Sequence, residues 1–207
     1  GDHRDLHSFP TRRSSDLERP KFSTGLELVK FARRDDQGGR WADLLVAESV
    51  ASEMLNDNGI QAVQSRIVEV GEFVFLAIRR FDRVDSGGRT AVHTLGALDG
   101  ALYGEGSGSW ALMADRLHQD GLLSEMDAET IRHVWHFGNA IRNSDMHFGN
   151  LGFRPIANGG LEPAPIYDML PMAYAPNAAG VPSFEPPAHH HPQGKAAKLS
   201  RAFWGEL

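Results

Sequence analysis

Residues 143–150 form the stretch Asn143-Ser144-Asp145-Met146-His147-Phe148-Gly149-Asn150, and Asp168 follows eighteen residues after its end. Within this stretch Asp145 stands five residues before Asn150. A cluster of Asn, Ser, Asp and Gly is also typical of an ordinary polar turn, because these residues favour turns for backbone reasons. The rest of the chain must decide between a simple turn and a reactive loop.

The three polar side chains suit the transfer of a phosphoryl group from ATP. This reaction needs a carboxylate that orients the attacking hydroxyl and accepts its proton, and it needs oxygen ligands that hold Mg²⁺ against the phosphates. Asp145 fits the role of the base, and Asn150 and Asp168 fit the role of metal ligands. The spacing of an Asp and an Asn five residues apart is common, so it does not establish the reaction by itself.

The composition limits the possible classes of protein. A length of 207 residues suffices for one large domain or two small lobes, and 41% hydrophobic content is ordinary for a globular protein. The longest apolar run, residues 73–78, is too short to cross a bilayer, and no signal peptide is recognisable, so we expect a cytoplasmic protein. The absence of cysteine excludes disulfides and thiolate metal sites. A net charge of −6 provides no basic surface for nucleic acid.

Residues 1–17 are predicted to be a non-native segment. The part from residue 7 to residue 17 looks like the in-frame translation of a widely used sequencing-library adapter. A native basic arm is the alternative interpretation. We therefore leave these residues out of the fold prediction and expect the natural protein to begin upstream of Glu18.

The region after this segment predicts a strand and a helix that share a charged pair. Alternation with period two over residues 26–31 predicts a strand that carries Lys30, and helical spacing over residues 41–55 places Glu48 on the apolar face of the next helix. A buried carboxylate needs a cation, and Lys30 is the nearest candidate. Such a pair positions the ATP phosphates in protein kinases. A solvated Lys and a marginal Glu are the alternative.

Further patterns predict an α+β fold with two lobes. Strands over residues 62–69 and 73–79 complete a partial, nucleotide-binding N-lobe, residues 18–84. Helices predominate in the C-lobe, residues 85–207, where we expect Asp127 to cap the helix that leads into the stretch 143–150.

Two other features of the C-lobe are less specific. The glycine-rich segment 104–109 lies between predicted helices and lacks the Lys of a phosphate-binding loop, which favours a flexible connector. The histidines of the chain lack the spacing of a zinc site, and residues 189–191 are predicted to lie in a solvated loop.

These residues, in this order, resemble the HipA family of toxin kinases, and within it the YjjJ-type branch. The resemblance extends over nearly the whole chain from Glu18 onwards, and its most specific motif is the N-x-D-x-H-x-x-N loop followed by Tyr-Asp at positions 167–168. It implies a two-lobed fold similar to that of protein kinases, and the phosphorylation of serine or threonine with ATP and Mg²⁺.

The resemblance also implies a role for each matching position. Lys30, with Glu48, would hold the ATP phosphates, and Arg79, Phe81 and Asp82 would contact adenine and ribose. Asp145 would be the catalytic base in the same loop as His147, and Asn150 and Asp168 would bind Mg²⁺.

Family members act as toxins on cytoplasmic proteins, aminoacyl-tRNA synthetases among them, and pair with an antitoxin that binds DNA. Members of the YjjJ-type branch carry an N-terminal DNA-binding region of their own, and DNA binding is expected only through such a region, which is missing from this sequence.

Two other functions remain open at the level of the sequence. A small-molecule phosphotransferase of the aminoglycoside-kinase kind also uses an Asp-containing loop and a later metal-binding Asp. A non-catalytic pseudokinase that acts as a regulatory binding protein is the second alternative, although the intact set of Lys30, Asp145, Asn150 and Asp168 argues against it.

We predict that this chain binds Mg-ATP poorly. In the HipA family a loop containing Ser and Gly covers the phosphates and precedes the position of Arg19, where this chain has the adapter-like segment. Isothermal titration calorimetry with Mg-ATP tests the prediction, and a micromolar dissociation constant for the chain as printed would contradict it.

Overall fold

The computed structural model describes residues 20–34, 39–84, 87–157, 159–176 and 194–206. These residues form an α+β fold in which a four-stranded sheet is followed by a mainly helical part with a smaller sheet. The adapter-like segment 1–17 and the predicted loop around residues 189–191 lie outside the described residues, and both expectations stay predictions.

The four-stranded sheet is antiparallel, and its strand order is β1-β2-β4-β3. The strands are β1 (Lys21–Ser23), β2 (Glu27–Arg33), β3 (Ser65–Val70) and β4 (Phe73–Arg79). Lys30 pairs with Leu76 in the register, and Leu76 is fully buried, so Lys30 lies on the inner face of the sheet. The strand predicted to carry Lys30 and the two later strands are confirmed.

Helix α1 (Gly39–Asp57) packs on the inner face of this sheet and also reaches the helical part. Leu44 belongs to the core under the sheet, whereas Ala51 and Leu55 belong to the core of the helical part. The helix ends before Gly59, whose φ of 74° is the left-handed conformation expected after a helix C-terminus. Because α1 contributes to both cores, the division between residues 84 and 85 stays a prediction.

The helical part contains α2 (Leu95–Leu102), α3 (Trp110–Gln119), α4 (Glu125–Ala140) and α5 (Gly194–Glu206). Strands β5 (His93–Thr94), β6 (Gly152–Pro155) and β7 (Leu161–Pro163) form a three-stranded antiparallel sheet beside them. Helix α4 packs against α3 and α5, and the rings of Phe137 and Phe203 meet edge to face at 6.0 Å in the core. This packing makes α4 the central support of the helical part.

The prediction that Asp127 caps α4 is wrong, because the cap is Ser124. The Ser124 hydroxyl accepts a hydrogen bond from the backbone N–H of Asp127 at 3.1 Å, and Asp127 lies in the first helical turn. A Ser three residues before an acidic residue is the arrangement of a capping box. Asp127 therefore contributes negative charge near the helix N-terminus rather than the cap itself.

Gly138 allows the two loops of the candidate site to approach α4. A Cβ atom at this position would overlap the side chain of Met146, and it would crowd the sulfur of Met169. Met146 follows Asp145 and Met169 follows Asp168. The missing side chain therefore brings both candidate segments onto the same helix.

Within the described segments, no helix has the length and apolarity that crossing a bilayer requires.

We predict that Leu55→Ala destabilises the fold strongly. Leu55 is fully buried where α1 meets the helical core, and the loss of a buried leucine side chain costs about 2–5 kcal/mol. Leu112→Ala is the matched control, since 70% of Leu112 is exposed. Chemical denaturation of both variants measures the difference, and equal free energies of unfolding would contradict this account of the core.

Candidate active site

Lys30 lies between two carboxylates that come from distant parts of the chain. Its Nζ donates hydrogen bonds to both oxygens of Glu48, at 2.7 and 2.8 Å, and to Oδ1 of Asp168, at 2.5 Å. The Glu48 side chain is only 2% exposed, whereas that of Asp168 is 37% exposed. The structure therefore confirms the predicted contact between strand and helix, and it adds Asp168 as a second partner.

The charges of this cluster depend on one another. Burial disfavours the charged form of Lys30, but Asp168 and Glu48 outweigh burial and raise the pKa of Lys30 above its usual value. Burial raises the pKa of Glu48 to about 7, although the Lys30 ammonium acts in the opposite direction. Burial also works against a charged Asp168, yet Lys30 holds the pKa of Asp168 below its ordinary value. Lys30 is thus the cation that allows two neighbouring carboxylates to stay close.

Asn143 connects the loop 143–150 to the segment of Asp168. Its Oδ1 accepts a hydrogen bond from the backbone N–H of Asp145 at 3.0 Å, and its Nδ2 donates to the carbonyl oxygen of Asp168 at 3.3 Å. Asn143 is buried, where a polar side chain is stable only if it has partners. Its side chain therefore sets the relative position of the two carboxylates.

A second connection runs between Tyr167 and the end of the loop. The Tyr167 hydroxyl donates to the carbonyl oxygen of Gly149 at 2.8 Å, and Asn150 Nδ2 donates to the carbonyl oxygen of Asp145 at 2.9 Å. The first bond brings the neighbours of Asp168 and Asn150 together. The second bond occupies the amide nitrogen of Asn150, so that Oδ1 points away from the loop backbone.

Asp168 has a backbone conformation that is uncommon for a residue with a side chain. Its φ is 53°, in the left-handed region, which costs of order 1–3 kcal/mol for residues other than glycine and is concentrated at functional sites. The contacts of its carboxylate with Lys30 and of its carbonyl with Asn143 hold it there. The strain is therefore compensated by the same groups that form the candidate site.

Asp145 and His147 lie side by side at the surface of the loop. His147 Nδ1 accepts a hydrogen bond from the backbone N–H of Gly149 at 2.9 Å, which leaves the ring proton of a neutral imidazole on Nε2. Nε2 lies 3.7 Å from Oδ1 of Asp145. Partial burial raises the pKa of the Asp145 carboxyl, and His147 acts in the opposite direction. A carboxylate with a raised pKa at the surface is suited to accepting a proton.

The donor set fits Mg²⁺ only if other ligands complete it. Among the described residues, no group of three or more Asp, Glu, His or Cys side chains could hold a metal ion. Mg²⁺ usually takes one or two protein carboxylates or amides and fills its remaining positions with water and phosphate oxygens. Asn150 and Asp168 offer two such hard oxygen ligands. Two protein ligands are enough for a Mg²⁺ ion that also binds a nucleotide.

The three residues predicted to contact adenine and ribose lie in different surroundings. Arg79 is exposed at the end of β4, and Phe81 stacks on Tyr167 with ring centroids 5.6 Å apart. Asp82 is buried and binds Arg80 through both carboxylate oxygens, at 2.9 and 2.7 Å. Of these three predicted residues, Phe81 is the one whose described contacts reach the segment of Asp168.

Two arginines engage the Asp82 carboxylate, which weakens its predicted role at ribose. Arg83 contacts Oδ2 of Asp82 at 2.6 Å, in addition to Arg80. Burial works against the charge of Asp82, but the two arginines hold the pKa of this carboxyl below its ordinary value. A ribose hydroxyl would therefore compete with a charged, buried network. We expect Asp82 to stabilise the connection between the two parts of the chain.

A cavity of about 370 Å³ opens beside the loop 143–150. The lining comes from the loop, from Trp135 and Asn139 of α4, and from the glycine-rich segment 106–108. Lys30, Glu48 and Asp168 do not line it. Asp145 therefore lies between the charged cluster on one side and this cavity on the other.

The glycine-rich segment is more constrained than the flexible connector that its composition predicts. The buried carboxylate of Asp99 accepts hydrogen bonds from the backbone N–H groups of Glu105 and Gly106, at 3.0 and 2.7 Å. Gly104, Gly106 and Gly108 all have positive φ values, which glycine adopts without strain. A buried acceptor that stands six and seven residues before the two N–H groups it binds thus gives the segment a defined shape.

Three positioning residues were missed as functional candidates. Asn143 and Tyr167 belong to the motifs quoted above, but their side-chain bonds across the two segments are not visible in a motif. Trp110 donates through Nε1 to the carbonyl oxygen of His147 at 3.2 Å from a helix 37 residues earlier. An aromatic residue at the first position of α3 carries no signal for that contact.

We predict that Lys30→Met destabilises the fold by about 3–5 kcal/mol, the usual cost of leaving a buried charge without its partner. The pKa of the Glu48 carboxyl is about 7 although Lys30 lowers it, so removal of Lys30 moves this folded pKa further above the ordinary value of 4.5. A carboxyl group with a raised folded pKa stabilises the fold below its ordinary pKa, and this contribution is lost as the pH rises through the folded pKa. The loss caused by Lys30→Met should therefore be larger at pH 8 than at pH 5. Urea denaturation at both pH values measures it.

Two further variants control this prediction. Arg34→Met removes an exposed cation that contacts Glu69, and it should cost far less because solvent screens that pair. Lys30→Met combined with Glu48→Met should recover part of the stability, since no unpaired buried carboxylate remains at position 48. A pH-independent loss in the single variant would show that Glu48 is not the group responsible.

The sequence of this chain is similar to a known protein family and to a curated protein. The HipA-like C-terminal domain family matches residues 16–202, so its match begins at the end of the adapter-like segment. Toxin YjjJ of Escherichia coli (strain K12) is 38% identical over 175 residues, which are 79% of this chain and 39% of that protein. The chain thus spans well under half of the length of this curated relative.

A solved structure shows the same fold. The complex of HipA, HipB and operator DNA from Shewanella oneidensis MR-1 superposes with a TM-score of 0.56 at 18% identity and covers 84% of this chain and 47% of that chain. The proinflammatory kinase CtkA from Helicobacter pylori gives a TM-score of 0.47 at 18% identity over 77% of this chain and 56% of that one. The predicted two-lobed α+β fold of HipA type is confirmed by the first of these structures. With a family match over most of its length, the chain belongs to the HipA family and carries its HipA-like C-terminal domain.

Proposed function

We propose that this chain carries the catalytic part of an ATP- and Mg²⁺-dependent serine/threonine protein kinase of the HipA toxin type. The observation that supports this most directly is the position of Lys30, held between Glu48 and Asp168 and connected through Asn143 to Asp145. A cation that can bind phosphate, a metal-binding carboxylate and a base are the parts that phosphoryl transfer requires.

Each of the described groups has a separate role in the proposed reaction. The Asp145 carboxylate accepts the proton of the serine or threonine hydroxyl, whose oxygen forms the new bond to the γ-phosphorus of ATP. The bond from that phosphorus to the bridging oxygen breaks, and ADP leaves with the electron pair. Lys30 orients the phosphates, and Glu48 orients Lys30. Mg²⁺, bound by Asn150 and Asp168, would neutralise the developing charge on the phosphate oxygens.

Lys30 must change partners when the nucleotide binds. In the structure its ammonium contacts the Asp168 carboxylate directly. Asp168 would also hold Mg²⁺ through its carboxylate, and Lys30 keeps its two contacts with the buried Glu48 when it turns toward the phosphates. The buried Glu48 is therefore a constant partner, and Asp168 is an exchangeable one.

The walls of the 370 Å³ cavity favour a protein acceptor over an aminoglycoside. Aminoglycosides carry several ammonium groups, which require several carboxylates for recognition. Among the described residues that line this cavity, Asp145 is the single acidic one. The alternative of a small-molecule phosphotransferase therefore finds little support on the acceptor side. An acceptor screen of protein fractions, aminoglycosides and sugars separates the two functions.

The toxin activity and the partner are part of the proposal. The relative YjjJ is named a toxin, and the Shewanella HipA was solved with HipB and operator DNA. We propose a DNA-binding antitoxin as the partner of the full-length protein and a cytoplasmic protein, for instance an aminoacyl-tRNA synthetase, as the substrate. Phosphoproteomics after expression of the full-length protein identifies the substrate, and unchanged cell growth would contradict the toxin assignment.

We predict that Asp145→Asn abolishes most phosphate transfer in the full-length protein. The amide cannot accept the hydroxyl proton, and loss of a positioned base lowers the rate by about 10²–10⁴-fold. Transfer of radiolabelled phosphate from ATP measures the rate. Asp43→Asn provides the control, because its carboxyl is 66% exposed on α1 and its contact with Arg34 is long, at 3.4 Å. Full activity of Asp145→Asn would remove the base from the mechanism.

A further inference from the structure

We infer that the 370 Å³ cavity beside Asp145 holds the acceptor polypeptide and selects an apolar side chain close to the phosphorylated serine or threonine. This inference rests on the proposed kinase function, and it names the acceptor subsite and its preference. The residues that carry it are Trp135, Asn139 and the segment 106–108.

The position of the cavity identifies it with the acceptor side of the reaction. Phosphoryl transfer places the attacking and leaving oxygens on opposite sides of the phosphorus. The groups proposed to bind the nucleotide, Lys30, Glu48 and Asp168, lie outside the cavity lining, whereas Asp145 is part of it. An acceptor in the cavity would therefore present its hydroxyl to Asp145 from the side away from ADP.

The chemistry of the walls suits a peptide. The segment 106–108 consists of Gly, Ser and Gly, so a peptide can approach its backbone closely. Asp99 holds this segment through two backbone N–H groups, so the wall is formed before any peptide arrives. Asn139, which also lines the cavity, donates through Nδ2 to the carbonyl oxygen of Trp135 at 2.7 Å. That bond uses the amide nitrogen and leaves the amide oxygen as an acceptor for a peptide N–H.

Trp135 supplies the apolar end of the cavity. It is half-buried, and its ring lies 6.0 Å from the ring of Trp110, which supports it from behind. A rigid, partly exposed indole is a strong anchor for aromatic and long aliphatic side chains. Because Trp110 also binds the carbonyl oxygen of His147, the same tryptophan pair positions the loop of the proposed base.

Trp135 and Asp145 line the same cavity, so the apolar wall lies close to the proposed base. Helix α4 ends at Ala140, and the chain therefore turns between these two residues instead of continuing as a helix. The apolar side chain is therefore expected close to the acceptor serine or threonine along the substrate chain.

A peptide array probed without ATP tests the inference independently of catalysis. The peptides have a central serine, and each flanking position in turn is occupied by every amino acid; the probe is the labelled chain itself. We expect about tenfold enrichment of aromatic and aliphatic residues at one flanking position near the serine, the effect of one good apolar anchor. Trp135→Ala should abolish this enrichment, and Asp145→Asn should retain it.

Two further variants separate binding from folding. Ser107→Trp fills the cavity from an exposed position and should weaken peptide binding without loss of thermal stability. Met126→Ala is the control on the same helix, since Met126 is 74% exposed and outside this cavity. Binding without positional selection, or selection that survives both Trp135→Ala and Ser107→Trp, would overturn the inference. If the array shows selection but no phosphate is transferred, the inference holds and the proposed kinase function fails. If phosphate is transferred without selection, the proposed kinase function holds and the inference fails.

Discussion

The Lys30 ammonium joins a strand, a helix and a distant loop through hydrogen bonds that replace the water it has lost. Burial of one cation with Glu48 alone would leave a neutral pair; the addition of Asp168 leaves an excess of negative charge next to the proposed nucleotide site. Such an excess is tolerable in the absence of ligand because Asp168 is partly exposed, and it is the charge that a divalent metal ion would neutralise. The cluster is therefore stable as it stands and still suited to bind a cation.

Neutral polar side chains position the two backbone segments of this site. Asn143 and Tyr167 make hydrogen bonds to backbone atoms of the two segments, so they fix geometry without adding charge that would alter the pKa of Asp145. Helix α4 supports this network from below, because Gly138 lets Met146 and Met169 lie against it. On its other side, the pair of Trp110 and Trp135 links the loop to the cavity. One helix thus supports the charged cluster, the proposed base and the proposed acceptor subsite.

Much of the fold was predictable because its signals are local. Period-two and helical spacings identified the strand of Lys30 and the helix of Glu48, and the apolar surroundings of Glu48 required a cation. The helix cap was misassigned to Asp127 because Ser124 and Asp127 are both good caps, and only the hydrogen bond distinguishes them. The role of Asp82 was drawn from the resemblance, and the pairing with Arg80 and Arg83 depends on a turn whose geometry the motif does not contain.

The stretch 143–150 and Asp168 show which features of the site the sequence predicts and which depend on the tertiary structure. The sequence by itself determined which side chains were available as base, metal ligands and cation, since those roles depend on residue type and on spacings of a few residues. Only the tertiary structure decided that Lys30, besides Glu48, also contacts Asp168, 138 residues away, and that the segment 104–109 becomes a wall rather than a connector. The reason is that contacts over such separations depend on how whole elements pack, and packing involves side chains that no short motif includes.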